Sequence, residues 1–217
     1  MQTPISFVPM REAKASRPRF EQIMAVASHL FFTQGFDAVS LRQLAKSVGI
    51  SSGTMYNYIE SKQALLYELM DETLSLLLVQ SKRALRSRNI ANDELGTTIN
   101  VFANLAITDR ANLALALRPA PQLTDVQRAN IDKKLQQYSE LLQGVIRQRP
   151  LFLDIEPACM HRVVRGTITL LRACMDDNLQ LNKAEAAVVY SSLVNAWLNS
   201  FPAPRTIDFK KSSREKH

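Results

Sequence analysis

Four small residues, Ser40, Gly49, Ser51 and Ser61, punctuate the window from Val39 to Lys62 and leave it little choice of fold. Between the first two, Leu41, Leu44, Ala45 and Val48 recur at the spacing of one helical face. Ser40 suits the N-cap with Gln43 three residues on, a capping box, and Val39 with Leu44 can form the hydrophobic staple across it. Gly49 supplies the left-handed residue that ends the helix, with Ile50 free to fold back on Ala45. A second helix begins at Ser51 or Ser52, anchored by Met55 and Ile59. Ser61 opens a third, with Lys62 in its first turn. Two short helices joined by Gly49-Ile50-Ser51 have the proportions of a helix-turn-helix.

The preceding segment supports the same unit. Ile23, Val26, Ala27, Leu30 and Phe31 repeat at helical spacing, and Gly35 ends that helix with Phe36 able to return to Phe31. Three such helices share a small core that two could not form. Thr54, Tyr56, Asn57 and Tyr58 carry hydroxyl or amide groups suited to base edges and phosphate oxygens. A cation at Lys62 opposes the helix dipole, which makes sense if Lys62 and the free N–H groups together hold a phosphate.

The segment from Ile23 to Leu66 resembles the DNA-binding domain of the TetR family of transcriptional repressors. The matching residues are Phe31-Phe32-x-x-Gly35-Phe36, Ser40-Leu41-Arg42-Gln43-Leu44-Ala45, Val48-Gly49-Ile50-Ser51, Gly53-Thr54-Met55-Tyr56-x-Tyr58 and Ser61-Lys62-x-x-Leu65-Leu66. Ile59 stands where the family often has Phe, and Glu60 where it often has Pro, placing a negative charge near the expected phosphate site. The DNA-facing set expected here is Arg42, Ser51, Ser52, Gly53, Thr54, Tyr56, Asn57, Tyr58 and Lys62. The resemblance implies an all-α chain of about nine helices, in which a helix-turn-helix domain precedes a helical ligand-binding and dimerisation domain. It also implies a homodimer on a pseudo-palindromic operator, released by a small-molecule effector. A DNA-bound architectural or cell-division factor of the same fold is the alternative.

Composition sets the outer limits. At 217 residues, 46% hydrophobic and with six glycines, the chain favours a substantial helical core. No apolar run reaches the length of a membrane span, and the first residues do not read as a signal peptide, so the expected location is the cytoplasm, associated with the nucleoid. The formal charge of +7 favours a polyanionic partner, and Arg11, Lys14, Arg17 and Arg19 suit a basic arm. The expected boundaries are a leader over 1–16, a DNA-binding domain over 17–62, an effector and dimerisation domain over 63–202, and a tail over 203–217 that includes Lys210, Lys211, Arg214 and Lys216.

Beyond Ser61 every periodic segment reads as helix. A long one runs from Lys62 towards Arg88. Two more lie between Asp93 and Leu117, broken near Thr108-Asp109 and stopped before Pro119. Thr124 with Gln127 caps a helix reaching Arg149, Pro157 opens another to about Asp177, and Asn182 with Glu185 caps the last, which ends near Ser200 before Pro202. Cys159 and Cys174 fall on one of these helices, about 22 Å apart at the helical rise, too far for a disulfide.

The expected dimer interface is Val163, Val164, Thr167, Leu170, Leu171, Cys174, Val194, Trp197 and Leu198, because the last helix is apolar over more than half its circumference. The candidate ligand pocket is Phe102, Leu105, Leu113, Leu117, Leu142 and Arg165, the last on a stripe with His161 and Arg172 that also reads as a solvated face. The histidines His29, His161 and His217 are scattered and lack metal-ligand spacing. The chain is therefore not expected to be an enzyme or to carry a metal or cofactor.

Overall fold

In α1 (Arg17–Gln34), Ile23, Met24, Ala27 and Phe31 are buried on one face, and Gly35 then takes φ +86°, a backbone state that a side chain opposes. Phe36 turns back so that its ring lies 5.1 Å from that of Phe31. The computed structural model describes residues 17–87, 93–176 and 181–201. The leader 1–16 with Arg11 and Lys14, the expected helix ends at Arg88 and Asp177, and Pro202 with the tail 203–217 lie outside the described residues. Among those described, nine α-helices and one short 3-10 turn (Pro150–Phe152) occur, with no strand.

α2 (Leu41–Val48) and α3 (Ser52–Met55) follow, and α4 (Lys62–Arg86) is the long helix expected from the pattern. α5 (Glu94–Thr108) and α6 (Arg110–Ala116) are separated by Asp109, where the break was expected. Thr124 and Gln127 close a reciprocal capping box on α7 (Asp125–Arg147). α8 (Pro157–Asp176) starts on a proline and carries both cysteines. Asn182 and Glu185 close a second reciprocal box on α9 (Lys183–Asn199). Each box satisfies two helix-end N–H groups that would otherwise lack partners.

α4 belongs to both parts of the molecule. It packs on α1, and it also lies against α5, α6 and α7. Leu65, Leu66, Leu69, Met70, Leu74, Leu77 and Leu78 are buried along it, so one apolar stripe runs from the small N-terminal bundle into the larger one. α7 runs beside α4 in the same direction. Lys134 Nζ donates to Asp71 Oδ1 at 2.5 Å and to Ser75 Oγ at 2.6 Å, and Asn130 donates to the Tyr67 hydroxyl at 3.3 Å. A second link between the two parts joins α6 to α1, where the Arg110 and Arg118 guanidiniums lie 5.9 and 5.6 Å from the Phe32 ring centroid. α5 packs most extensively against α9, and α8 lies against α7 and α9.

Two sequence expectations change at this level. Six of the expected dimer residues, Val163, Val164, Thr167, Leu171, Val194 and Leu198, are at most 3% exposed within the single chain. The physical reason is that α8 and α9 turn their most apolar arcs inward, so these side chains already serve the chain's own core. Leu170, Cys174 and Trp197 are half-buried, while Val188 and Leu193 on α9 are exposed. Trp197 also packs across Gly166 of α8, where an added Cβ would run into its ring. Of the pocket set, Phe102, Leu105, Leu113, Leu117 and Leu142 are all core residues, but Arg165 is exposed on the outer face of α8. It follows Val164 by one residue, and the turn of the helix carries it to the solvent side.

Candidate nucleic-acid interface

The three N-terminal helices build a reading surface from local capping. Ser40 accepts a hydrogen bond from the Gln43 N–H at 3.1 Å. At the other end of α2, Gly49 takes φ +75°, its N–H donates to the Lys46 carbonyl at 3.1 Å, and the Ile50 N–H donates to the Ala45 carbonyl at 2.9 Å. That is a Schellman stop, and it fixes the angle at which the chain leaves α2. Val39 and Leu44, the expected staple, are both buried. The expected capping box at Ser40 is only half formed. The Gln43 amide reaches Gln34 at the end of α1 at 2.8 Å, so it ties two helices together instead of closing its own cap.

Ser51, not Ser52, caps α3. Its hydroxyl accepts from the Thr54 N–H at 3.0 Å and lies 2.8 Å from the Thr54 hydroxyl. The helix spans only four residues before tightening, with Asn57 N–H bonding back to Thr54 and Tyr58 N–H to Met55. Met55 and Ile59 point inward and are buried, which leaves Ser51, Ser52, Gly53, Tyr56 and Asn57 outward and exposed. Tyr56 is 61% exposed, a large aromatic turned to solvent on a surface otherwise made of small polar groups. Thr54 and Tyr58 are half-buried, and the Tyr58 ring packs partly against the core.

Lys62 is where sequence reasoning fails. Its Nζ donates to the carbonyl oxygens of Phe36 at 2.7 Å and Val39 at 2.8 Å and sits 4.1 Å from the centroid of the Phe36 ring. The ammonium therefore clamps the loop between α1 and α2 and is not directed at a phosphate. The carbonyls there face a cation because the Gly35 turn leaves them without helical partners. Arg19, expected in a basic arm, behaves similarly, donating to the Val48 carbonyl at 3.3 Å at the end of α2 and to Gln22 at 2.8 Å.

With Lys62 and Arg19 engaged, Arg42 and Lys46 are exposed cations on α2, four residues apart on one face. Sequence reasoning chose Arg42 and missed Lys46. The i, i+4 spacing from Arg42, outside the buried Leu44-Ala45-Val48 stripe, was the signal that would have found it. The arrangement gives α2 a cationic outer face beside the polar, aromatic surface of α3. In a helix-turn-helix the first helix crosses the DNA backbone and the second meets base edges, and these two surfaces have the chemistry for each task.

Comparison with known proteins agrees with this geometry. Residues 23–69 match the family described as bacterial regulatory proteins, tetR family. The chain is 24% identical over 156 residues to the fatty acid metabolism regulator protein of Bacillus subtilis (strain 168), covering 71% of this chain and 80% of that protein. A TetR-family transcriptional regulator from Bordetella parapertussis 12822 superposes with a TM-score of 0.75 at 17% identity, over 85% of this chain and 98% of that one. AibR in complex with isovaleryl coenzyme A and operator DNA superposes with a TM-score of 0.68 at 19% identity, covering 84% of this chain and all of the other. The structural likenesses establish the all-helical fold of both the small bundle and the large one.

Proposed function

Because the chain belongs to the TetR family and is a DNA-binding transcriptional regulator, we propose that it is a homodimeric repressor which a small molecule bearing an apolar chain releases from a pseudo-palindromic operator. In this reading Arg42 and Lys46 meet phosphates, and Ser51, Ser52, Gly53, Thr54, Tyr56 and Asn57 present the surface that enters the major groove. The half-buried Tyr58 contributes only its edge. The regulator works in the cytoplasm on the nucleoid.

The observation that carries the release mechanism is the continuity of α4. A single helix of 25 residues holds the reading head at its first turns and forms the centre of the larger bundle further on. A ligand that favours one packing of the bundle therefore favours one position of the head, and in a dimer it sets the spacing between two heads. The relatives support one effector class. The 156-residue alignment with the B. subtilis fatty acid metabolism regulator is too long to be confined to the head, so it takes in the larger bundle. We take acyl compounds as the effectors.

For the dimer, the outer faces of α8 and α9 are the surface of choice. Val188 is 65% and Leu193 42% exposed, with small Ser192 and Ala196 between and beside them. An apolar and small-residue stripe of this kind allows close helix packing across a twofold axis.

The decisive experiment is selection of bound sites from genomic DNA, followed by fluorescence anisotropy on the recovered operator. Acyl coenzyme A thioesters of graded length are expected to release the protein at a defined chain length. If neither thioesters nor fatty acids release it, the acyl-effector reading fails. Leu193→Glu is expected to convert a dimer into a monomer in sedimentation. An unchanged mass would move the interface elsewhere.

A further inference from the structure

Buried polar atoms without a partner are unevenly distributed. Among the described residues they are Ser81 Oγ, Arg110 Nε, Asn112 Oδ1, Tyr138 Oη, Arg147 Nε and Trp197 Nε1, and all lie beyond the reading head. Tyr138 is the most completely enclosed of the large side chains among them, at 1% exposure. Leaving a buried hydroxyl unpaired is costly, whereas phenylalanine would fill the same space at no such cost. Other buried hydroxyls in the bundle avoid the problem. Thr73, Thr98 and Thr167 each donate to the carbonyl one turn back, those of Leu69, Glu94 and Val163. A phenol is too long to reach its own backbone in this way, so its partner has to come from across the core. Ser81, fully buried on the adjoining α4, leaves its hydroxyl unpaired as well.

We propose that Tyr138 is the polar anchor of the effector site, its hydroxyl donating to an uncharged oxygen, the carbonyl of an ester, thioester or ketone, at the head of an apolar acyl chain. This rests on reading the larger bundle as the effector-binding part. The face of α7 around Tyr138 favours an uncharged ligand. Along α7 the neighbours one turn before and after Tyr138 on its face are Lys134 and Leu142. Leu142 is fully buried, and Lys134 is already held by Asp71 and Ser75 of α4. Burial alone pushes the phenol's pKa upward, so it stays protonated and serves as a donor. A carboxylate brought to this point would lose its hydration and find no unengaged cation on that face of the helix. An ester or thioester carbonyl loses far less on desolvation and accepts one hydrogen bond, the one the site offers.

The test uses the full chain and three probes that share one acyl group: methyl octanoate, octanoyl coenzyme A and octanoate. Calorimetric titration of the wild type is expected to show binding of the ester and the thioester, with octanoate at least about tenfold weaker. Tyr138→Phe is expected to weaken the ester and thioester about tenfold, the scale of one buried hydrogen bond. In the absence of probe, Tyr138→Phe is expected to melt at or above the wild-type temperature, since it removes an unpaired polar atom. A lower melting temperature would mean that the hydroxyl already has a partner inside the fold, and would overturn the proposal. Unweakened ester and thioester binding in Tyr138→Phe, or preference of the wild type for octanoate, would overturn it too. Failure of the wild type to bind any of the three is a different result: it removes the acyl-effector reading itself, and this proposal with it.

Discussion

The reading head and the larger bundle handle their polar groups in opposite ways. In the head, these polar groups find partners within the head itself: Ser40 and Ser51 on helix starts, Gly49 on a helix stop, Gln43 on Gln34, and Lys62 on two loop carbonyls. In the bundle, α7 and α9 have complete capping boxes, yet the interior retains unpaired hydroxyl, amide, indole and guanidinium atoms. A part with no unpaired buried side-chain polar atom among its described residues has little to gain from a new internal partner and can be moved as a rigid piece. A part with unmet donors and acceptors can gain from a new partner, and that gain is what a ligand-driven shift requires.

The sharpest challenge to this contrast is Lys62→Met. Losing two charge-assisted hydrogen bonds and the ring contact is expected to cost about 2–4 kcal/mol, seen as a lower denaturation midpoint with operator binding lost in proportion. The salt dependence of the remaining binding should be unchanged. A slope reduced by about one with stability intact would restore Lys62 as a phosphate ligand.

Gly166→Leu addresses the bundle. The new side chain meets the Trp197 ring and is expected to destabilise by about 1–3 kcal/mol. Hydrogen exchange should record the loss in α8 and α9 while α1 to α3 keep their protection. Uniform loss would mean that the two parts unfold as one.

Smaller effects belong to the DNA surface. Tyr56→Ala should weaken a selected operator about tenfold, with stability changed by less than about 0.5 kcal/mol, because the ring is exposed. Lys46→Ala should weaken all sequences alike and lower the salt slope by about one. The smallest effect concerns Glu72, whose carboxyl is held above its ordinary range by burial and then by Glu68, Asp71 and Glu21. A raised acid pKa in the folded chain means that stability present at low pH is lost as pH rises through that raised value. Glu72→Gln should therefore raise the melting temperature slightly at neutral pH, with the gain vanishing below the ordinary carboxylate range.

Much of this molecule was legible in the linear chain because its signals are short-ranged. A serine three residues before the N–H it caps, a glycine that tolerates positive φ, and apolar residues one turn apart all act within a few positions. From them follow the caps at Ser40, Ser51 and Ser61, the breaks at Asp109 and Pro119, and the exposed face of α3. What the sequence could not decide were commitments made across distance. Lys62 chooses carbonyls 26 and 23 residues earlier, and Gln43 chooses Gln34 over its own cap. The apolar arcs of α8 and α9 turn inward because neighbouring helices cover them, moving six expected interface residues into the core and Arg165 out to solvent. Local hydrogen bonding and helical period determine which segments are helices and where they stop. The partner of a long cationic side chain, or the side of a helix that is covered, depends on which elements arrive beside it, and only the tertiary packing settles that.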